Sequence, residues 1–432
     1  MNPWLACLFR PALAAVASLA LLCAPALAQP RADAPRWIAS WAAAPQSLPA
    51  QPPVTGAQPA SARVPTLTPA FRAQTVRERV FPTVDGETAR VRFSNRFGAV
   101  PLHVAEASIA LGTGGSAISP ASLQALSFGG RHDITIAPGA EAWSDSVPAA
   151  VRAGQATVVS FYLDQPTPFG TVHRMPADAT WVAPDNAVSQ ATLAGAAPSQ
   201  WNHIVTGLDV MTRGPARVVV AFGDSITEGV NAFSLVRGRY PDRLAERLRD
   251  ATPGGPVVAV LNAGIAGNRL LSEVAGPSGI DRFARDVLAQ SGVTHAVILL
   301  GINDIGFETF FGTPGLPLPA TRTATAPRLI AGLKRLVDMA RARGVKVMLG
   351  TLTPVKGSGY WSEQNEEIRQ AVNRWIRDQQ AVITVVDFDA ALRDPDDPQA
   401  LDPVYDSGDH LHPGEAGNAA MAAAVDSREL RQ

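Results

Sequence analysis

Val218-Val219-Val220-Ala221-Phe222 is an unbroken apolar run, and Gly223-Asp224-Ser225-Ile226-Thr227 follows it at once. A short apolar run rich in β-branched residues reads as a strand buried on both faces, which is how the strands of a parallel sheet read. The same rhythm continues downstream. Val257 to Leu261, His295 to Leu300, Val345 to Thr351 and Val382 to Phe388 read as further strands. Tyr240 to Asp250, Ala326 to Arg343 and Ser362 to Gln379 have helical spacing between them, the second ending at Gly344. Strands alternating with helices predict a parallel sheet covered on both faces. In such sheets, sites form at the carboxyl ends of the strands.

Upstream of Gly214 the pattern is different. Thr88-Ala89-Arg90-Val91-Arg92-Phe93-Ser94 alternates polar and apolar with period two, as a half-buried strand does. Thr75 to Phe81, Leu102 to Leu111 and Ala156 to Leu163 are similar, and Asp85-Gly86 reads as a hairpin turn between two of these strands. With no long helical period over 72–212, this part predicts an antiparallel β-sandwich or jelly-roll-like domain. Before it, seven prolines between Pro45 and Pro69 exclude a regular helix or central strand. Trp37 and Trp41 just precede that stretch and read as anchors into a core. The expected organisation is a signal peptide at 1–28, an N-terminal segment and Pro/Ala-rich linker at 29–71, a β-rich accessory domain at 72–212 and an α/β domain with the parallel sheet at 213–432.

The signal peptide rests on Arg10, the apolar stretch Ala12 to Ala24 and the small residues around Ala26-Leu27-Ala28. The stretch is short for a bilayer span of about 20 residues and Pro25 interrupts its end. Cleavage before Gln29, export to the periplasm or exterior, and no stable membrane anchor afterwards are therefore expected. Cys7 and Cys23 are the only cysteines and both lie within 1–28, so the mature chain has no thiol nucleophile, disulfide or thiolate metal ligand. A net charge of -1 with no Lys/Arg-rich block excludes a nucleic-acid footprint.

Chemistry-bearing residues fall where the strands end. Ser225 leaves the first strand beside a glycine, although Asp224-Ser225 would equally suit a helix cap. Serine needs an adjacent base, and Asp409-His410-Leu411-His412-Pro413 near the C-terminus offers one. His412 is favoured, with Asp409 reaching back to fix its tautomer. His410, with Asp406, is the competitor, but adjacent Asp409 and His410 point apart. Asn262 to Asn268 follows the second strand and Gly301-Ile302-Asn303-Asp304 the third. Acyl transfer builds an oxyanion that needs preorganised donors, and glycine N–H groups and an asparagine amide can serve beside the Ser225 N–H.

These blocks resemble the GDSL or SGNH hydrolase family. The resemblance rests on Ser225 in G-D-S, Gly267, Asn303 in G-x-N-D, and Asp409 and His412 in D-x-x-H, and spans about Arg217 to Ala424. Ile226 stands where the family usually has leucine. The resemblance implies a flavodoxin-like three-layer α/β domain, no cofactor, no metal, and ester hydrolysis through an acyl-enzyme. It implies catalytic roles for Ser225, Asp409 and His412, and an oxyanion hole from Ser225, Gly267 and Asn303. The α/β-hydrolase elbow G-x-S-x-G is excluded by Thr227, and no G-x-G-x-x-G follows the first strand.

Other features take plainer readings. Glu363, Glu366 and Glu367 read as the solvated face of a helix, His295 as structural, and Asp394-Pro395-Asp396-Asp397 lacks the turn glycine and distal glutamate of a calcium loop. Phe307, Phe310 and Phe311 read as a candidate acyl or aryl pocket, with a satellite core as the other reading. The expected substrate is a small-molecule or polysaccharide ester, short-chain or carbohydrate acetyl ahead of long-chain lipid. Acyl transfer to a sugar, a lysophospholipase or lipase activity, and a polysaccharide-binding protein with a vestigial hydrolase half are the alternatives.

Overall fold

The computed structural model describes residues 34–48, 70–175, 179–232, 237–250, 255–310 and 324–431. The signal-peptide reading of 1–28 and most of the Pro/Ala-rich segment lie outside these residues. The C-terminal part is built on a five-stranded parallel sheet. Its order is Val257–Gly264, Ala216–Gly223, Val293–Leu299, Lys346–Gly350 and Thr384–Val386. Val218 to Phe222 are wholly buried at the second position of that order, which is why the run is apolar throughout. Helices Tyr240–Asp250, Ala326–Arg341 and Glu363–Arg377 fall between the strands in the chain. Among the described residues no helix is long and apolar enough to cross a membrane.

The N-terminal part is strand-rich and antiparallel. One sheet runs Arg36–Ala42, Val205–Thr212, Gly86–Ser94 and Glu141–Trp143, with Val147–Val151 also on Gly86–Ser94. The other has Gln74–Val80, Thr157–Leu163 and Glu106–Gly114 at its centre. The two sheets share a core, in which Phe93 of the first meets Phe161 of the second edge to face at 5.8 Å. The segment around Trp37 and Trp41 is a strand of the first sheet, paired antiparallel with Val205–Thr212. Both tryptophans are half-buried.

Three sequence readings need correction here. Asp85-Gly86 is not a hairpin turn, because Gln74–Val80 and Gly86–Ser94 belong to different sheets. The intervening residues cross between them and are held by Ser40, whose carbonyl accepts from Thr83 N–H at 2.9 Å and whose Oγ donates to the Val84 carbonyl at 2.9 Å. Gly86 serves close approach, since a Cβ there would lie 2.5 Å from Val210 Cβ. Leu102 to Leu111 is likewise two strands, Leu102–Val104 pairing with Ile134–Ile136 while Glu106–Gly114 joins the larger sheet. Finally, Glu366 is not on a solvated face. It is buried and holds the buried Arg369 through two bonds of 2.7 Å, while Arg369 also reaches Asp389 at 2.6 Å.

The two parts are joined by polar contacts as well as apolar ones. Asp209 accepts from Arg90 at 2.8 Å and from Ser291 Oγ at 2.6 Å, and Ala39 N–H donates to the Ser291 carbonyl at 2.9 Å. Val260 N–H, on the edge strand of the parallel sheet, donates to Thr83 Oγ1 at 3.2 Å.

Candidate active site

The strand Ala216–Gly223 delivers Ser225 to the carboxyl edge of the parallel sheet, where it opens the turn Ser225–Glu228. Asp224 caps that turn, its Oδ1 accepting from Ile226 N–H at 3.1 Å. Gly223 has no room for a side chain, because a Cβ would lie 2.4 Å from the Leu299 carbonyl oxygen. His412 lies just before the helix Glu415–Ala424. Its Nε2 is 2.8 Å from Ser225 Oγ and its Nδ1 is 2.6 Å from Asp409 Oδ2. Asp409 Oδ1 also accepts from the backbone N–H groups of Leu411 and His412 at 3.0 and 2.8 Å. Partial burial alone would raise the Asp409 carboxyl, but the bonds from the His412 ring and from these N–H groups hold it far below the usual range.

His410 does not join this group. It turns away in a left-handed conformation, φ 60°, and pairs with Asp406 at 2.6 Å with 54% of its side chain exposed. Asp409 and His410 thus have different partners, His412 and Asp406.

Gly267 adopts φ 75°, which favours glycine. A Cβ there would also crowd Ala275 at 3.1 Å and Phe307 at 3.4 Å. The loop carrying it is pinned from several sides. Asn268 donates to the carbonyls of Ala275 and Pro277 at 3.2 and 2.9 Å, and Asp304 accepts from Leu270 and Leu271 N–H at 2.6 and 3.0 Å. Asn303 Nδ2 donates to the Asn268 carbonyl at 3.0 Å, and Asn303 Oδ1 accepts from Tyr360 hydroxyl at 2.8 Å. The amide is thus fixed in orientation beside the Gly267 loop. Burial pushes Asp304 up to about 6 and Asp224 up to about 7.

Four residues that the sequence did not single out support this arrangement. Tyr360 orients Asn303. Asn231 donates to Asp409 Oδ2 at 2.9 Å. Asp304 appears in the G-x-N-D block, yet nothing in the block says that it holds the neighbouring loop. Arg282, wholly buried, donates to the carbonyls of Gly223 and Ala263 at 2.7 and 2.8 Å and to Asn268 Oδ1 at 2.9 Å. It therefore ties two strand ends to the loop of Gly267. Of the aromatic group, Phe307 lies against Gly267, whereas the Phe310 side chain and Phe311 are outside the described residues. His295 is buried in its strand and titrates near 4 through burial. Among the described residues no three His, Cys, Asp or Glu side chains are grouped to hold a metal ion.

A hydroxyl bonded to an imidazole that is in turn bonded to a carboxylate can deliver a nucleophile. Residues 221–420 match the model of the GDSL-like lipase/acylhydrolase family. No curated protein matches the chain in sequence. Among solved structures, the aryl esterase of M. smegmatis is 17% identical with a TM-score of 0.38, over 50% of this chain and 100% of that one. The carbohydrate acetylesterase Est24 of Sinorhizobium meliloti is 16% identical with a TM-score of 0.37, over 49% and 97%. A GDSL-like lipase of Bacteroides thetaiotaomicron is 21% identical with a TM-score of 0.36, over 49% and 86%. Residues 221–420 therefore make up a domain of the GDSL-like lipase/acylhydrolase family, and the chain is a carboxylic ester hydrolase of that type.

Proposed function

We propose that the chain is a secreted serine esterase that cleaves short-chain esters, carbohydrate acetyl esters among them, through an acyl-enzyme on Ser225. The observation that carries this reading is the unbroken line from Ser225 Oγ through the His412 ring to Asp409, at 2.8 and 2.6 Å. His412 takes the Ser225 proton as the hydroxyl attacks the ester carbonyl. Asp409 keeps the ring in the tautomer with Nδ1 protonated and stabilises the imidazolium. The N–H groups of Ser225 and Gly267 and the Asn303 amide receive the oxyanion. His412 then gives its proton to the leaving alcohol, and water repeats both steps on the acyl-enzyme.

Residues 213–432 are read as a flavodoxin-like three-layer hydrolase domain and 72–212 as a sandwich-like accessory domain. Removal of 1–28 on export fits the small residues before Gln29. Hydrolysis of p-nitrophenyl esters from acetate to palmitate tests the proposal. The mature chain is expected to turn over the short esters, and Ser225→Ala to lose activity by on the order of 10⁶-fold while melting at the same temperature. A folded Ser225→Ala with comparable turnover would remove Ser225 from the mechanism.

A further inference from the structure

A pocket of about 350 Å³ opens between the two parts of the chain, within the roughly 300–1,000 Å³ of small-molecule sites. Gln46, Arg174, Met175 and Trp201 line it from the antiparallel part, Glu228 and Ala266 from the parallel part. Its floor adjoins the reacting groups. Glu228 ends the turn that Ser225 begins, and Ala266 immediately precedes Gly267. The Ala266 N–H donates to the Glu228 carboxylate, so nucleophile turn and Gly267 loop meet beneath the pocket.

The walls carry two donors that no described residue accepts from. Gln46 is 1% exposed, and its Oε1 accepts from the Arg174 backbone N–H at 3.2 Å. Its Nε2 and the Nε of Arg174 are buried and have no hydrogen-bond partner among the described residues. A buried donor left unpaired is costly, so two of them on one small pocket point to an oxygen-bearing ligand. Trp201 is half-buried and held edge-on by Phe169 at 6.1 Å, which leaves it as a rigid apolar wall. Arg174 and Glu228 bring one charge of each sign, and Glu228 is further engaged by His173 at 3.0 Å.

We propose that this pocket is the subsite for the glycosyl unit of an acylated carbohydrate, with Trp201 against the sugar ring and the Gln46 amide and Arg174 guanidinium donating to its oxygens. An alkyl chain would leave both donors unpaired, and an anionic group would face Glu228. A sugar offers an apolar face with oxygens around its edge, which is what the walls complement. The antiparallel part thereby supplies substrate selectivity to a reaction carried out by the other part. The proposal rests on the reading of Ser225 as nucleophile.

The test uses the full mature chain with two substrates, p-nitrophenyl acetate and chemically acetylated xylotriose. What is read is the ratio of kcat/KM for the sugar ester to that for the aryl ester. Trp201→Ala is expected to lower that ratio about tenfold, mainly through KM, and Trp201→Phe to recover most of it. Arg174→Met is expected to lower the ratio too, and it serves alone if Trp201→Ala does not fold. An unchanged ratio in Arg174→Met and in whichever Trp201 variant folds overturns the subsite. So does a wild type that cleaves p-nitrophenyl acetate but not acetylated xylotriose, an outcome that leaves the esterase reading intact. Activity of Ser225→Ala on p-nitrophenyl acetate defeats the nucleophile reading instead, whatever the ratio does.

Discussion

Asn303 has one acceptor and two amide hydrogens to place. Tyr360 occupies the acceptor and the Asn268 carbonyl one hydrogen, which leaves the second for an oxyanion. Asn303→Ala removes a donor of the kind whose loss lowers kcat about 10²–10³-fold. Tyr360→Phe leaves that donor present but less firmly oriented, so a loss of about 2–10-fold in kcat, matching one hydrogen bond, is expected with KM little changed. Equal losses in the two variants would mean that Tyr360 does more than orient the amide. Asp224 gives a prediction in pH. Burial raises its carboxyl to about 7, against about 3.9 in the unfolded chain. The folded state therefore holds more protons between those values, and the group's contribution is present in full below about pH 4 and lost as pH rises to about 7. That loss is on the order of 4 kcal/mol. Asp224→Asn keeps an acceptor for Ile226 N–H and removes the charge, so it should lose less stability than wild type between pH 5 and pH 8. Parallel urea midpoints in the two proteins across that range would refute the assignment.

At the level of elements, the site depends on how strand ends are tied together. Arg282 donates to Gly223, Ala263 and Asn268, stacks on Phe222 at 4.0 Å and pairs with the buried Asp286 at 3.0 Å. Arg282→Met would leave those acceptors unpaired and should destabilise the fold by about 3–5 kcal/mol. Arg243→Ala, which loses pairs with Glu246 and Glu415 on the surface, should lose about 1 kcal/mol or less. Chemical denaturation of both variants checks the contrast, and similar losses would contradict it. This scale also separates what the chain reveals from what it hides. The strands from Ala216 to Val386 were readable because strands buried on both faces must be apolar runs, and the G-D-S and D-x-x-H blocks because each is local. Arg282 and Tyr360 were not readable, since the partners through which they hold the site lie 14 to 59 residues away in sequence. Glu366 looked solvated because Glu363 and Glu367 of the same helix are, while Asp389, which completes its arginine pair, is on another element. The Asp85-Gly86 turn failed for the same reason, because sheet membership is decided by pairings with distant strands.

For the molecule as a whole, the antiparallel part does structural work on the parallel one. Val257–Gly264 is an edge strand of the parallel sheet, and an open edge invites pairing with other chains. Here Thr83 Oγ1 accepts from its Val260 N–H. Further into the sheet, Ile38 packs so closely on Gly292, which leads into the interior strand Val293–Leu299, that a Cβ there would lie 3.0 Å from it. Ala39, Asp209 and Arg90 hold Ser291, and His173 reaches Glu228 at the end of the nucleophile turn. Residues 213–432 expressed alone would give up these bonds, each worth about 1 kcal/mol, and expose the apolar surface beneath them. At about 2–4 °C per kcal/mol, the melting temperature should fall by roughly 10 °C or more relative to the mature chain, and the fragment should self-associate through its bared edge. Size-exclusion chromatography and a thermal scan read both effects. A monomeric fragment melting with the full chain would mean that the antiparallel part is a passenger, and that the contacts at Thr83, Ile38 and Asp209 contribute nothing to the stability of the hydrolase half.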